Sequence, residues 1–300
     1  MAQKKMPAKR PGKKGGRYTT IVIVGIALSL VAISLLLWGP LKSRRTAEKK
    51  PPVKKQETAQ REAGARRERG AAQNGAPGEI SGVVAIVIDD LGQDLKPAKD
   101  LLALPDRITL AVIPKLPQSK KIAEMAHQLG REVLVHIPME AKAHVDKNGP
   151  AVLRSDMTPM EFIATINEDI DSVPGAAGVN NHEGSSLTEN RQAMTFLMSE
   201  LKNRSFFFLD SMTSPKSTAF SVAKEFGIRS AKRDVFLDND SSKPASIRKQ
   251  LEELAGLAKK NGRAIGIGHP HPETIAELAK WLPEAAEQGI EVVPVSRLMQ

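Results

Sequence analysis

The sequence predicts an α/β fold for residues 80–300. Short apolar runs, mostly rich in Val and Ile, alternate there with segments whose apolar residues recur three and four positions apart. This alternation is typical of a parallel sheet covered by helices, arranged either as a barrel or as an open sheet. Almost every run also ends in a polar or ionisable residue, which favours an irregular (β/α) barrel with its functional groups on the carboxyl face.

Eight apolar runs are predicted to be strands, which gives seven or eight βα units. In chain order they are 83–90, 107–114, 132–138, 176–182, 205–211, 233–239, 263–269 and 291–296. The segments between them are predicted to be mostly helical. The clearest helix start is a capping box, with Thr158 as N-cap, Pro159 in the first turn and Glu161 three residues after the cap. Pro272 is likewise predicted to open a helix, with Glu273 in its first turn.

The first 79 residues differ in composition from the rest and predict a membrane anchor. Residues 19–38 are twenty positions without a charge, enough for a helix to cross a hydrocarbon layer of ~30 Å. The basic segment 1–18 favours a cytoplasmic amino terminus, although seven further Lys and Arg within 42–55 weaken that bias. The predicted arrangement is a single pass through the inner membrane with the barrel domain in the periplasm. Residues 39–79 contain few aliphatic side chains and predict a disordered linker. A cleavable signal peptide is the alternative, but no small-x-small cleavage site follows the apolar segment.

Charge and cysteine content exclude several classes of site. Residues 1–79 carry 18 Lys and Arg against 5 Asp and Glu, whereas residues 80–300 carry 26 against 29. The predicted barrel therefore lacks the positive surface that a phosphate backbone requires, which argues against nucleic-acid binding. Because the chain has no Cys, disulfides, zinc–thiolate sites and cysteine nucleophiles are excluded, and His, Asp and Glu remain as metal ligands.

Asp89 and Asp90 end the first run. Neighbouring residues of an ideal strand point to opposite faces, so both carboxylates reach one site only if the strand ends between them. Gly92 permits the turn that this requires. Two carboxylates in one pocket titrate together, and a bound cation is the usual way to keep both ionised. Capping of the following helix is the alternative for either residue.

Histidines end three further runs. His136 ends the third run and His182 the fourth, and two imidazoles with a carboxylate suit Zn²⁺, Co²⁺, Ni²⁺ or Fe²⁺ with positions left for water. Glu140, four residues after His136, is a further candidate ligand. His269 ends the seventh run ahead of a proline, in a rigid junction suited to presenting a catalytic imidazole, and His271 is the weaker candidate. For a single His the alternative is a core or surface group.

Six segments together resemble a known motif series: IDDLG, HIPME, GVNNHEGS, FFLDS, RDVFLDN and GIGHPHPET. The series is similar to that of the divergent polysaccharide deacetylases, a branch of the carbohydrate esterase and deacetylase barrels, and it spans roughly residues 83–298. The resemblance implies an irregular seven-stranded (β/α) barrel of the glycoside hydrolase/deacetylase type and an envelope location. It also implies metal-dependent removal of acetyl groups from N-acetylated sugars, with Zn²⁺ as the expected cofactor and an envelope carbohydrate as the substrate.

The resemblance also implies roles for individual residues. Asp89 matches the general base and Asp90 a metal ligand. His136 matches the first metal histidine, but Glu140 stands where the second is found in ordinary deacetylases. The third ligand is therefore expected to be His182.

His269 matches the late histidine that protonates the leaving amine in the ordinary deacetylases. The auxiliary candidates are Glu140, Asn181, Asp210, Arg233 and Asp234. Aromatic residues make up only 4% of the chain, so platforms for stacking sugars are scarce. A catalytically inactive metal-binding module tethered to the envelope is therefore one alternative, and a metal-dependent hydrolase of another ester or phosphoester is a second.

Overall fold

The computed structural model of the chain describes residues 80–105, 107–143, 152–239 and 243–300, and confirms the parallel α/β architecture. Every strand pairing in this part of the chain is parallel. The strands are β1 Gly82–Leu91, β2 Thr109–Val112, β3 Val133–Met139, β4 Gly178–Glu183, β5 Phe207–Asp210, β6 Ser230–Lys232, β7 Val235–Phe236, β8 Arg263–Gly268 and β9 Ile290–Val292.

Seven α-helices connect these strands within the described ranges. They are α1 Leu95–Leu102, α2 Ser119–Gln128, α3 Pro159–Asp171, α4 Arg191–Asn203, α5 Ala219–Glu225, α6 Pro244–Asn261 and α7 Pro272–Glu287. The predicted capping box opens α3: the Thr158 hydroxyl accepts from the Glu161 N–H, and the Glu161 carboxylate accepts from the Thr158 N–H at 2.9 Å. Pro272 opens α7 as predicted, with Glu273 in the first turn.

The sheet is a half-barrel of nine strands, whereas the family resemblance implies an irregular seven-stranded barrel. Its strand order is β6-β5-β4-β3-β2-β1-β8-β7, with β9 added to β1, and no ladder joins β6 to β7 among the described residues. Only Arg233 and Asp234 separate these two edge strands along the chain. Arg233 N–H donates to Asp210 O of β5, and Asp234 N–H donates to Ile265 O of β8, so the connection is bonded to both sides of the gap. We call residues 233–234 the seam.

Two predicted strands differ from the observed ones. The run 233–239 contributes only the two residues of β7, and the strand preceding it, β6, is the small and polar segment Ser230–Lys232, which has no apolar pattern. The run 291–296 forms β9 and then gives way to a 3₁₀ turn at Val295–Leu298. Short edge strands bury little apolar surface, so hydrophobic patterning identifies them poorly.

The core has two parts, on opposite faces of the sheet. From β1, Ile86 and Ile88 pack against the helices, whereas Ala85 and Val87 belong to the cluster on the other face. Because successive strand residues alternate between faces, the next residue on the face away from the helices is Asp89. The strand pattern therefore places one carboxylate at the carboxyl edge of that face.

Within the described ranges, no helix is both long and apolar enough to cross a membrane. The predicted basic segment 1–18, anchor 19–38 and most of the predicted linker 39–79 lie outside the described residues.

Candidate active site

A pocket of about 480 Å³ opens at the carboxyl edge of the sheet. It gathers the five residues with predicted catalytic or metal-binding roles, together with two of the auxiliary candidates. Its lining is Asp89, Asp90, His136, Asn181, His182, Glu183, Ser211, Met212, Thr213, Arg233, Phe236, Ile267 and His269.

The alternation of side chains between the two faces of β1 breaks at Asp90, as it must if both adjacent carboxylates are to face one pocket. Asp90 has a φ of 58°, in the left-handed region that non-glycine residues rarely occupy. This turn brings Asp90 to the same pocket as Asp89, which is only 3% exposed. Gly92 has a φ of 139°, and a Cβ at that position would lie 2.7 Å from Ser119 Oγ. The predicted turn is thus present, and glycine is needed to complete it.

Asp90, His136 and His182 converge on one point. Asp90 Oδ1 lies 3.1 Å from His136 Nε2 and 2.8 Å from His182 Nδ1. One ligand atom from each of the three residues lies within 4.8 Å of the other two. Asp90 Oδ1 is buried and accepts no hydrogen bond. A carboxylate and two imidazoles around an unsatisfied buried oxygen fit a divalent cation with open positions.

The Asn180 side chain fixes the orientation of the His136 ring. Its Oδ1 can only accept, so it receives the proton of His136 Nδ1 at 2.9 Å and leaves Nε2 to face the pocket. Its Nδ2 donates to Asp89 Oδ1 at 2.8 Å. One buried amide therefore fixes both a candidate ligand and the candidate base. The sequence marks Asn180 as a strand-end residue but gives it no role.

The electrostatics separate the two carboxylates. Burial raises the pKa of Asp89, and His136 and Asn180 offset this only in part. Burial also acts to raise the pKa of Asp90, but the contacts with His136 and His182 outweigh it and hold the pKa far below its usual range. For His136, burial lowers the pKa, and the nearby carboxylates Asp89 and Asp90 more than reverse that effect. Asp90 is thus held as an anion, whereas Asp89 has the greater affinity for a proton.

His269 forms a dyad with Asp238 across from this cluster. Its Nδ1 donates to Asp238 Oδ1 at 2.9 Å, and its backbone N–H donates to Asp238 Oδ2 at 2.6 Å. Thr274 Oγ1 donates to the same Oδ2 at 2.8 Å. His269 Nε2 is left facing the pocket, 3.8 Å from Asp90 Oδ2. Burial lowers the pKa of His269, but the bond to Asp238 and the surrounding carboxylates raise it overall.

Arg233 lines the pocket and fixes the loop after β5. Its Nε donates to Ser211 O at 2.8 Å and a terminal nitrogen donates to Met212 O at 3.2 Å. Its guanidinium lies 4.8 Å from the ring centroid of Phe236. Burial lowers the pKa of Arg233, and Asp89 offsets part of the shift. Arg233 therefore supplies a partly buried positive charge beside the candidate base.

Two auxiliary candidates lie outside the metal-binding cluster. Glu140 does not join Asp90 and the histidines: its carboxylate accepts from the N–H and the hydroxyl of Ser155, each at 2.7 Å, and from Ser186 Oγ at 3.1 Å. Asp234 accepts from Ile265 N–H at 2.8 Å at the seam. Both carboxylates hold backbone segments together.

Asn181 and Asp210 also make loop contacts. Asn181 borders the pocket, but its Oδ1 accepts from Ser211 N–H at 2.9 Å and its Nδ2 donates to backbone and hydroxyl oxygens. Asp210 is fully buried and accepts from Met212 N–H at 2.9 Å and from Ser217 Oγ at 2.7 Å. These two side chains shape the loop over the pocket.

Comparison with known proteins connects this geometry to a family. Residues 86–299 match the family model described as divergent polysaccharide deacetylase. The uncharacterized protein YibQ of Escherichia coli K12 is 40% identical over 205 residues, which make up 68% of this chain and 63% of that protein. An uncharacterized protein of Haemophilus influenzae Rd is 40% identical over 215 residues, 72% of this chain and 76% of that protein. The chain thus spans just under two thirds of the E. coli relative.

A solved structure shares the fold. The uncharacterized protein ATU2773 of Agrobacterium tumefaciens C58 matches with a TM-score of 0.70 and 28% identity, over 75% of this chain and 92% of that one.

Proposed function

Because the chain belongs to the divergent polysaccharide deacetylase family, we propose that it is a metal-dependent hydrolase that removes the acetyl group from an N-acetylated envelope carbohydrate. The observation that carries the proposal is the arrangement of the pocket. A proton acceptor, Asp89, and a proton donor, His269, lie around a convergent set of one carboxylate and two imidazoles.

Asp90, His136 and His182 are the residues that would hold the cation, with Zn²⁺ as the expected ion. A divalent cation supplies two kinds of chemistry when bound, since it lowers the pKa of a bound water and polarises a carbonyl. Asn180 contributes by fixing the tautomer of His136, so that Nε2 faces the pocket with its lone pair.

Asp89 is the general base of the proposed reaction. As the oxygen of the attacking water bonds to the acetyl carbonyl carbon, Asp89 accepts the water proton. Its burial suits this role, because the charged form of a desolvated carboxylate is disfavoured and takes up a proton readily. The bond from Asn180 keeps Oδ1 in place, and the partly buried positive charge of Arg233 lies where it favours the ionised carboxylate.

His269 is the general acid. It holds a proton on the nitrogen that faces the pocket and gives it to the amide nitrogen as the carbon–nitrogen bond breaks, which releases acetate and a free amine. Asp238 orients the ring through Nδ1 and stabilises its protonated form. The raised pKa of His269 favours the imidazolium form that donates the proton.

The same proposal places the reaction in the periplasm. The apolar segment 19–38 serves as a single inner-membrane span, with residues 1–18 in the cytoplasm and the catalytic domain outside. The substrate is then a carbohydrate of the envelope, within reach of the tether formed by residues 39–79.

The test is acetate release by the full-length chain from N-acetylated chitin and peptidoglycan fragments. We expect release that a chelator stops and that added Zn²⁺ restores. The matched variant is His136→Ala/His182→Ala, which is expected to lose activity together with the metal held by Asp90, His136 and His182. Metal binding without acetate release from any fragment would refute the hydrolase.

One observation favours a second function. Among the described residues lining the pocket, Phe236 is the only Phe, Tyr or Trp, and the guanidinium of Arg233 packs against its ring. Sugars commonly stack on exposed aromatic faces, and this pocket offers none that is free. The second candidate is therefore a tethered metal-binding module without catalysis, and metal-dependent retention of an envelope component by an inactive chain would support it.

A further inference from the structure

We propose that Asp238, His269 and His271 form a second metal-binding site beside the first. One ligand atom from each residue lies within 4.8 Å of the other two. The site shares no residue with Asp90, His136 and His182. It goes beyond the proposed function, which uses Asp238 and His269 for proton transfer and leaves His271 without a role.

The donor set and its spacing suit a transition metal. Asp238 Oδ1 and His269 Nδ1 are 2.9 Å apart. Two ligands at about 2.0–2.1 Å from a tetrahedral Zn²⁺ ion are separated by about 3.3 Å, so a shift of about 0.4 Å opens this hydrogen-bonded pair to the ion. The rings of His269 and His271 are 5.9 Å apart between centroids. Two imidazoles and a carboxylate favour Zn²⁺, Ni²⁺ or Cu²⁺ over Ca²⁺ or Mg²⁺.

The fold fixes the Asp238 side chain and restricts the backbones of both histidines before any ion binds. Asp238 is fixed by bonds from Thr274 Oγ1 and from the His269 N–H. His269 and His271 each precede a proline, which restricts their backbones to extended conformations. His271 is exposed, and its side chain does not cap α7, so its nitrogens are available to a metal.

The same geometry makes this the weaker of the two sites. A cation must displace the proton between His269 Nδ1 and Asp238, and it must bind near the amino terminus of α7, where the helix dipole disfavours positive charge. The second site is therefore expected to require a higher zinc concentration than the first.

Occupancy has a consequence for turnover, and this part rests on the proposed function. A cation bound at His269 Nδ1 takes the place of the hydrogen bond to Asp238 Oδ1, which orients the ring in the proposed reaction. Excess metal therefore slows a deacetylase. The second site therefore inhibits turnover when the metal concentration is high.

The test counts ions and needs no turnover. The full-length chain is stripped of metal and dialysed against Zn²⁺, and bound zinc is measured by mass spectrometry. We expect two zinc ions per wild-type chain, one in His271→Gln and one in the His136→Ala/His182→Ala variant. The matched control is His127→Gln, an exposed histidine of α2, which is expected to keep both ions.

Each result of the zinc measurement either supports or refutes the second site. The second site is refuted if the wild type binds one zinc at millimolar supply, or if His271→Gln still binds two. If His271→Gln binds one zinc ion fewer than the wild type, the second site is supported, even when no acetate release is detected. If His271→Gln needs at least ten times more Zn²⁺ than the wild type for the same inhibition of turnover, the inhibitory role of the second site is supported. Equal inhibition of the two proteins refutes that role.

Discussion

Replacing Asp89 by Asn separates proton transfer from metal binding. The amide oxygen of Asn can still accept from Asn180 Nδ2, which lies 2.8 Å from Asp89 Oδ1 in the wild type. The three proposed ligands are untouched by the change. The variant therefore keeps the shape of the site and loses the group that takes the proton from water.

The expected loss of turnover is about 10²–10⁴-fold, the contribution of a positioned general base. This corresponds to roughly 3–5 kcal/mol of transition-state free energy, since each tenfold is about 1.4 kcal/mol. The fold should not suffer, because burial disfavours the charge of Asp89 and a neutral amide removes that cost. We expect a melting temperature equal to or above that of the wild type.

Three measurements on the full-length chain check this prediction: acetate release, bound metal by mass spectrometry, and thermal unfolding. Asp94→Asn is the matched control, because Asp94 is an exposed carboxylate that precedes α1 and makes no side-chain capping bond. Loss of metal from Asp89→Asn would show that Asp89 is a ligand. Retained turnover would show that the water proton goes elsewhere.

Two further variants test residues that support the candidate site, and a third tests a buried carboxylate elsewhere in the fold. Asp238→Asn should lower kcat by roughly 100-fold and shift the alkaline limb of the rate profile to lower pH, because Asp238 raises the pKa of His269; an unchanged profile would contradict the dyad. Asn180→Ala should weaken Zn²⁺ binding by about 10–100-fold in equilibrium dialysis, since it releases His136 Nδ1; unaltered affinity would count against that support. Burial raises the pKa of Asp169 to about 6, well above the usual range of an aspartate, so the folded state binds this proton more tightly than the unfolded state does. Between pH 7.5 and 5 the wild type should therefore gain about 1 kcal/mol of unfolding free energy relative to Asp169→Asn, and parallel pH profiles in denaturant titrations would refute this.

The parts of the site that could be predicted are those that depend on one strand at a time. The apolar run of β1 identifies a buried strand, and its carboxyl end identifies Asp89 and Asp90. His136 and His182 follow in the same way, because the carboxyl ends of parallel strands meet at one edge. Their convergence on Asp90 then follows from β3 and β4 being neighbours.

The parts that could not be predicted depend on which strands become neighbours and on what each loop leaves unsatisfied. Asp238 reaches His269 because β7 pairs with β8, a contact that the weak pattern of a two-residue strand does not reveal. Asp210 ends β5 and Glu140 follows β3, yet their carboxylates accept hydrogen bonds from nearby N–H and hydroxyl groups. Position at a strand end is the same for a ligand and for a loop anchor, so sequence alone does not separate them.

The seam has a consequence for how such proteins diversify. In a closed barrel, the hydrogen-bonded register of every strand constrains the diameter, so a wider interior requires many coordinated changes. Here the two edges of the sheet are linked by covalent chain through Arg233 and Asp234, and Arg233 itself borders the pocket. An insertion at this one connection would alter the width of the pocket and leave the strand ladders intact. The break in the sheet is thus the point at which descendants of one scaffold can be fitted to substrates of different size.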